Sequence, residues 1–205
     1  MARYTGPKNR IARRFGVNIF GRARNPLLHK PNPPGVHGAK RRKKSDYGMQ
    51  LDEQQKLRAC YGMISRKQMI GYYKKAVSRK EETPLAFLRQ LECRLDNIVY
   101  RLKFAPTIFT AHQLVSHGHI LVNGKKVDRR SFQVKPGMTI SVKPKSQNIA
   151  VVKAAVVGVR DLPEYLSVDP VKFTGEILVL PEIDQAPFPL PINIPLICEF
   201  LAHTS

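Results

Sequence analysis

The sequence predicts an α+β protein with a long basic N-terminal arm, and three observations carry that reading. Apolar residues recur at helical spacing from Leu51 to about Tyr100. The period then changes to two around Asn123-Gly124 and again over 139–142. Ahead of both, "NPLLHKPNPPGVHGAKRRKKS" has four prolines and two glycines, which exclude a long helix or strand there.

The elements follow in order. Residues 1–45 read as an extended arm that is poorly ordered on its own. Leu57, Cys60, Tyr61 and Ile64 lie on one helical stripe. Ser65-Arg66-Lys67-Gln68 is a capping-box pattern that opens a second helix. Met69, Tyr72, Tyr73, Ala76 and Val77 form its apolar stripe, and Lys67, Lys74, Lys75 and Arg79 its polar face. Thr83-Pro84 starts a third helix, lined by Leu85, Leu88, Leu91 and Leu95. "RLDNIVYRL" gives a short helix that ends before Pro106, and "TAHQLVSHG" another, with Thr110 as its expected cap and Gly118 as its left-handed stop. Ile120 and Val122 alternate into a type I′ turn at Asn123-Gly124, and Lys125-Lys126-Val127 return from it. Residues 139–142 form another strand, whereas "NIAVVKAAVV" fits either strand or helix.

Charge narrows the function classes. The 205 residues carry 35 Lys and Arg against 15 Asp and Glu, a net charge of +20. Residues 1–50 have 13 basic and 1 acidic side chain, and residues 101–150 have 9 and 1. Residues 151–205 have 3 and 7, so the tail is mildly acidic. A chain this basic needs a polyanion, and nucleic acid is the usual one. Two separated basic zones suggest a long or curved polyanion touched in more than one place. Cys60, Cys93 and Cys198 form no C-x-x-C pair, which argues for a reducing compartment and against a disulfide framework or zinc knuckle. No apolar run is long enough to span a bilayer, and no secretory signal is evident.

Catalytic motifs are not apparent. His112 and His117 are five apart and lack an orienting acid, so His112, His117 and His119 read as surface or RNA-contacting residues rather than metal ligands. Asp52-Glu53 and Glu81-Glu82 read as solvated charges near helix starts. There is no phosphate loop, nucleophile elbow or dinucleotide fingerprint. Tyr61, Tyr72 and Tyr73 read as core, and Tyr4 and Tyr47 as candidates for base contact.

"SDYGMQLDEQQKLRACYG" (45–62), "RLDNIVYRL" (94–102) and "HQLVSHGHILVNGKKV" (112–127) resemble the bacterial-type small-subunit ribosomal protein S-four family, as does the opening "MARYTGPKNRIARR". The resemblance implies an S-four RNA-binding domain inserted in a helical domain that the C-terminus rejoins. The implied parts are an arm over 1–45, a helical domain over 46–93 with 184–205, and an S-four domain with a strand-rich extension over 94–183. It further implies a cytoplasmic, non-enzymatic constituent of the small subunit. Such a protein binds ribosomal RNA early, nucleates assembly of the subunit body and affects decoding accuracy. The implied neighbours are ribosomal proteins S-five and, functionally, S-twelve; some members also bind their own messenger RNA. No cofactor, metal or membrane is implied, because the four arm cysteines of zinc-holding members are missing here. This chain departs from the family after about Val156, where "PEIDQAPFPLPINIPLICEFLA" is apolar and acidic in place of a more basic segment.

The expected RNA contacts are Arg3, Lys8, Arg10, Arg13 and Arg14 in the arm, the run Lys40, Arg41, Arg42, Lys43 and Lys44, and Lys125, Lys126, Arg129 and Arg130 at the hairpin. His119, Arg94 and Arg101 follow, with Asp96 as an alternative partner for either arginine. An RNA-modifying enzyme would need a further catalytic domain, and only about sixty residues remain after the sheet. A general nucleoid-type DNA binder is the third class.

Overall fold

The computed structural model describes residues 4–21, 24–40, 43–158 and 160–204. In chain order its helices are α1 (Lys8–Phe15), α2 (Asp46–Cys60), α3 (Arg66–Val77), α4 (Thr83–Glu92), α5 (Leu95–Arg101), α6 (Ile108–Ser116), α7 (Ala150–Val156) and α8 (Ile194–Thr204). The strands are β1 (Ile120–Val122), β2 (Lys125–Lys126), β3 (Thr139–Val142), β4 (Leu166–Asp169) and β5 (Thr174–Ile177). The protein is therefore α+β, with one antiparallel sheet ordered β2-β1-β3-β5-β4. Two compact units divide the chain: residues 1–84 with 188–205, and residues 85–187. The sequence placed these divisions at 93/94 and 183/184.

The first unit is helical. Its N-terminal stretch is less extended than the sequence suggested, because α1 lies within it and Ala12, Ile19 and Phe20 are buried. Those three residues give the stretch an apolar anchor, so charge and glycine content do not decide its conformation. Over residues 25–40, where the prolines cluster, and 43–45, the described backbone has only turns, bends and irregular stretches. The Ser45 hydroxyl caps α2 by accepting the Gly48 amide at 3.2 Å. α3 opens on the expected capping box: Ser65 Oγ accepts from the Gln68 amide at 3.3 Å and Gln68 Oε1 from the Ser65 amide at 3.4 Å. α8 buries Ile194, Ile197, Phe200 and Leu201 and packs against α2 and α3. Tyr47 meets Phe200 with ring centroids 5.4 Å apart, and the Asn193 amide donates to Glu53 Oε2 at 3.0 Å.

The second unit has its own core. The sheet register puts Ile120, Val122, Ile140, Val142, Leu166 and Ile177 on one face, and all six are buried. They pack with Leu95, Ile98, Val99 and Leu102 of the α5 segment and Ala111, Leu114 and Val115 of α6. α6 is capped by Thr107, whose Oγ1 accepts the Thr110 amide at 3.2 Å; the sequence put the cap three residues later. The ambiguous stretch after residue 148 is the helix α7, with Val152 and Ala155 turned inward at i, i+3 spacing. β4 and β5 lie within the stretch over 94–183 for which a strand-rich extension was expected, beyond the point near Val156 where the likeness to the family fades. Among the described residues no helix is long and apolar enough to cross a membrane.

Gly175 sits where β5 crosses beneath Leu102. A Cβ added there would lie 2.6 Å from Leu102 Cδ2 and 2.8 Å from the Ser167 carbonyl oxygen. A backbone carbonyl cannot yield as a side-chain tip can. Gly175→Ala is therefore expected to destabilise the protein by about 1–3 kcal/mol, measured as a lower urea midpoint with an unchanged slope.

Candidate nucleic-acid interface

In the second unit, the cationic hairpin is built on a fixed base. Asn123 and Gly124 adopt φ of 47° and 77°, the pair of positive values a type I′ turn requires. The Asn123 amide donates to the Thr139 carbonyl at 2.8 Å, and its Oδ1 accepts the Thr139 amide at 2.8 Å. The turn is thus bolted to β3. It presents Lys125 and Lys126, both exposed, and Arg129 is exposed in the loop that follows. His119, at the start of β1 and so at the other end of the hairpin from the turn, is half-buried; its Nδ1 lies 2.8 Å from Ser146 Oγ, and its carbonyl accepts the Lys143 amide at 2.8 Å. Lys143 and Lys145 are exposed close by in sequence to Ser146.

The loop behind the hairpin is tied to the start of α5. The Leu95 amide donates to the Phe132 carbonyl at 2.9 Å and the Asp96 amide to the Arg130 carbonyl at 3.2 Å. Asp96 itself is 1% exposed. Its carboxylate accepts from Arg94 Nε at 3.0 Å and Nη2 at 2.5 Å, and from the Asn97 amide at 2.9 Å. His112 Nε2 lies 3.2 Å from Asp96 Oδ2, close enough for attraction but off the line of a hydrogen bond. Burial alone would raise the Asp96 pKa. The Arg94 guanidinium, helped by His112, outweighs it and holds the carboxyl below its ordinary value. Arg130 is also buried beside this group, and desolvation lowers its pKa while Asp96 opposes the fall.

A second buried carboxylate, Glu92, stands four residues back, at the end of α4. It accepts from Asn97 Nδ2 at 2.5 Å, Tyr165 Oη at 2.9 Å and Arg101 Nη2 at 3.0 Å. Burial and the nearby Glu92 charge push the Tyr165 phenol far above its usual pKa, so it remains a donor. Arg101 also donates to the Pro187 carbonyl at 2.9 Å.

Several expected contacts thus serve the interior. Arg94 takes Asp96 as its partner, one of the two pairings left open; Arg101 takes Glu92 instead. Arg94 and Arg130 are buried, and neither presents charge to solvent. His112 is a core polar group rather than a surface histidine.

In the first unit, Arg10, Lys40 and Lys43 are exposed and Lys8 is half-buried. Arg13 is a clamp: its Nε donates to the carbonyls of Lys30 at 3.1 Å and Asn32 at 2.9 Å. Arg14 and Lys44 both pair with Asp52, while their side chains stay 50% and 61% exposed. Asp52 is therefore not the solvated charge the sequence suggested. Its burial opposes ionisation, but Lys44 and Arg14 win and hold its pKa below the usual carboxylate value. Tyr61 and Tyr72 are buried, Tyr73 and Tyr4 half-buried, and Tyr47 exposed. Arg3, Arg41 and Arg42 lie outside the described residues.

The cations that sequence reasoning undervalued lie on and just after α3, and before α7. Lys67, Lys74, Lys75, Arg79, Lys143 and Lys145 are exposed and enter no ion pair among the described residues. The polar face of α3 was visible in its periodicity, and that was the available signal. Among the described residues no three His, Cys, Asp or Glu side chains gather as a metal ion would require.

A small antiparallel sheet backed by two short helices, with a basic hairpin projecting from a charge-locked base, defines an RNA-binding domain of the S4 type. Residues 93–140 match the family model described as S4 domain, and residues 3–92 match ribosomal protein S4/S9 N-terminal domain. The chain is 65% identical over 206 residues to the small ribosomal subunit protein uS4 of Protochlamydia amoebophila, covering 100% of both. It is 63% identical to that of Chlamydia trachomatis serovar D and 60% to that of Chlamydia pneumoniae, with 99% of each chain covered. The chain belongs to the small ribosomal subunit protein uS4 family.

The buried ion network generates a stability prediction. Asp96→Asn leaves Arg94 and Arg130 without their carboxylate and is expected to cost about 3–5 kcal/mol in chemical denaturation at neutral pH. Because the folded Asp96 pKa is depressed, its contribution is full above the unfolded value of about 3.9 and is lost as pH falls through the folded value. The gap between native and variant stability should therefore narrow below about pH 4; a gap constant down to pH 2 would refute the pairing.

Proposed function

We propose that this chain is a structural, non-catalytic constituent of the small ribosomal subunit that binds the subunit's ribosomal RNA directly in the cytoplasm. The observation that carries this reading is the hairpin tip, where Lys125, Lys126 and Arg129 stand exposed and unpaired among the described residues on a base held by hydrogen bonds. Preordered cations lose little entropy when they meet phosphates. The full-length similarity to relatives named small ribosomal subunit protein uS4 supports the same role.

The contact set combines both units: Lys8, Arg10, Lys40 and Lys43 with the α3 cations, and Lys125, Lys126, Arg129, His119, Lys143 and Lys145. Arg3, Arg41 and Arg42 belong to it on charge alone. Arg14 and Lys44 share their charge with Asp52 and contribute less. Phosphate neutralisation supplies affinity through counterion release, and shape with unpaired junction bases supplies selectivity. By binding early, the chain nucleates the subunit body; beside S-five, and functionally with S-twelve, it contributes to decoding accuracy and meets messenger RNA.

Salt dependence tests this reading. Replacing Lys125, Lys126 and Arg129 by Gln removes three phosphate contacts, so the slope of log K against log salt on small-subunit RNA should fall by about 2–3. An unchanged slope would remove the hairpin from the interface. Equal affinity for duplex DNA as competitor would favour the nucleoid-type reading instead.

A further inference from the structure

Lys125 and Lys126 leave the hairpin in different directions, because successive strand side chains point to opposite faces. Lys126 stands opposite Leu121 in the register, and its stem runs back from the turn across Gly118. A Cβ added at Gly118 would collide with Lys126 Cε and lie 3.0 Å from Nζ. Gly118 has a φ of 71° and is buried, although His117 before it is exposed and His119 after it is half-buried. Consecutive Cα atoms are about 3.8 Å apart, so the Lys126 ammonium lies within about 8 Å of the Cα atoms of both histidines.

The histidines bring a second kind of group to this knuckle between α6 and β1. Their ring centroids are 6.1 Å apart. His119 Nδ1 is engaged by Ser146 Oγ at 2.8 Å, which leaves Nε2 for another partner. The segment packed on His119 carries only cations: Lys143, whose amide donates to the His119 carbonyl at 2.8 Å, and Lys145, both exposed. On α6 the other titratable residue, His112, is buried against Asp96. Asp128, the acid nearest to Lys126 in sequence, is exposed. Among the described residues, none of His117, His119, Lys126 and Asp128 enters an ion pair.

A cluster of cations repels itself until an anion enters it. An imidazole ordinarily loses its charge at about pH 6.5, and a phosphate placed against it favours the charged form. We propose that His117, His119 and Lys126 form one site for RNA backbone phosphate, and that the histidines take protons from solvent as the phosphate enters. Lys126 supplies a permanent charge, and the histidines supply charge that is complete only in the complex. The proposal rests on the RNA-binding reading; it adds His117 to the contact set and couples binding to proton uptake.

The test is calorimetric titration of the full chain with small-subunit RNA at pH 7, in two buffers of different ionisation heat, which counts the protons taken up. About one proton per complex is expected, and affinity should fall about tenfold from pH 6 to pH 8. His117→Gln with His119→Gln should remove most of the uptake and flatten the pH profile. His117→Gln alone leaves the Ser146 contact in place and should remove about half of the uptake. Lys125→Gln, on the other face of the strand, should weaken binding and leave the uptake as it is. Binding without net uptake, or an uptake that both histidine variants leave intact, would overturn the proposal while the RNA-binding reading stands. No binding at any pH would overturn both.

Discussion

Two buried carboxylates govern the second unit. Glu92 is fully buried and Asp96 nearly so, and Asn97 joins them by donating its amide to Asp96 and its side chain to Glu92. Arg94, Arg101 and Tyr165 complete the set. A buried charge is tolerable only when paired and fully hydrogen-bonded. Here the partners come from the α4–α5 junction and from the segment just before β4, so the network is satisfied only when these parts are assembled together. It is a condition on the fold more than a source of net stability.

That condition separates the arginines from the lysines. Arg89, Arg94 and Arg101 point to carboxylates and carbonyls, where a planar fork with several donors is well used. Lys125 and Lys126 stand in solvent at the end of the hairpin, where a compact point charge suits a phosphate. The first unit repeats the division on a smaller scale, with Arg13 clamping carbonyls while Lys40 and Lys43 remain exposed. A net charge of +20 therefore overstates the cations available to a polyanion.

Much of the fold was legible because its signals are local. The capping box at Ser65, the change of period after Gly118 and the Asn123-Gly124 turn each depend on neighbours in the chain, and each is present. The misread features depend on distant residues. Asp52 is buried by pairing with Arg14, 38 positions away, and Tyr165 reaches Glu92 across 73. Periodicity carries no information about such pairs, so Asp52 looked like a solvated charge, whereas Arg94 pairs only two positions on, with Asp96, one of the pairings the sequence left open. Residues 150–156 were ambiguous because an apolar run of that length fits a buried strand or a helix equally well.

The account depends on a chain that grips folded RNA by itself, through exposed cations on ordered supports. A hydroxyl-radical footprint of the purified protein on naked small-subunit RNA, with no other protein present, tests this most directly. Protection confined to one region around a helix junction is the expected result. No protection, or protection spread evenly along the transcript, would contradict it.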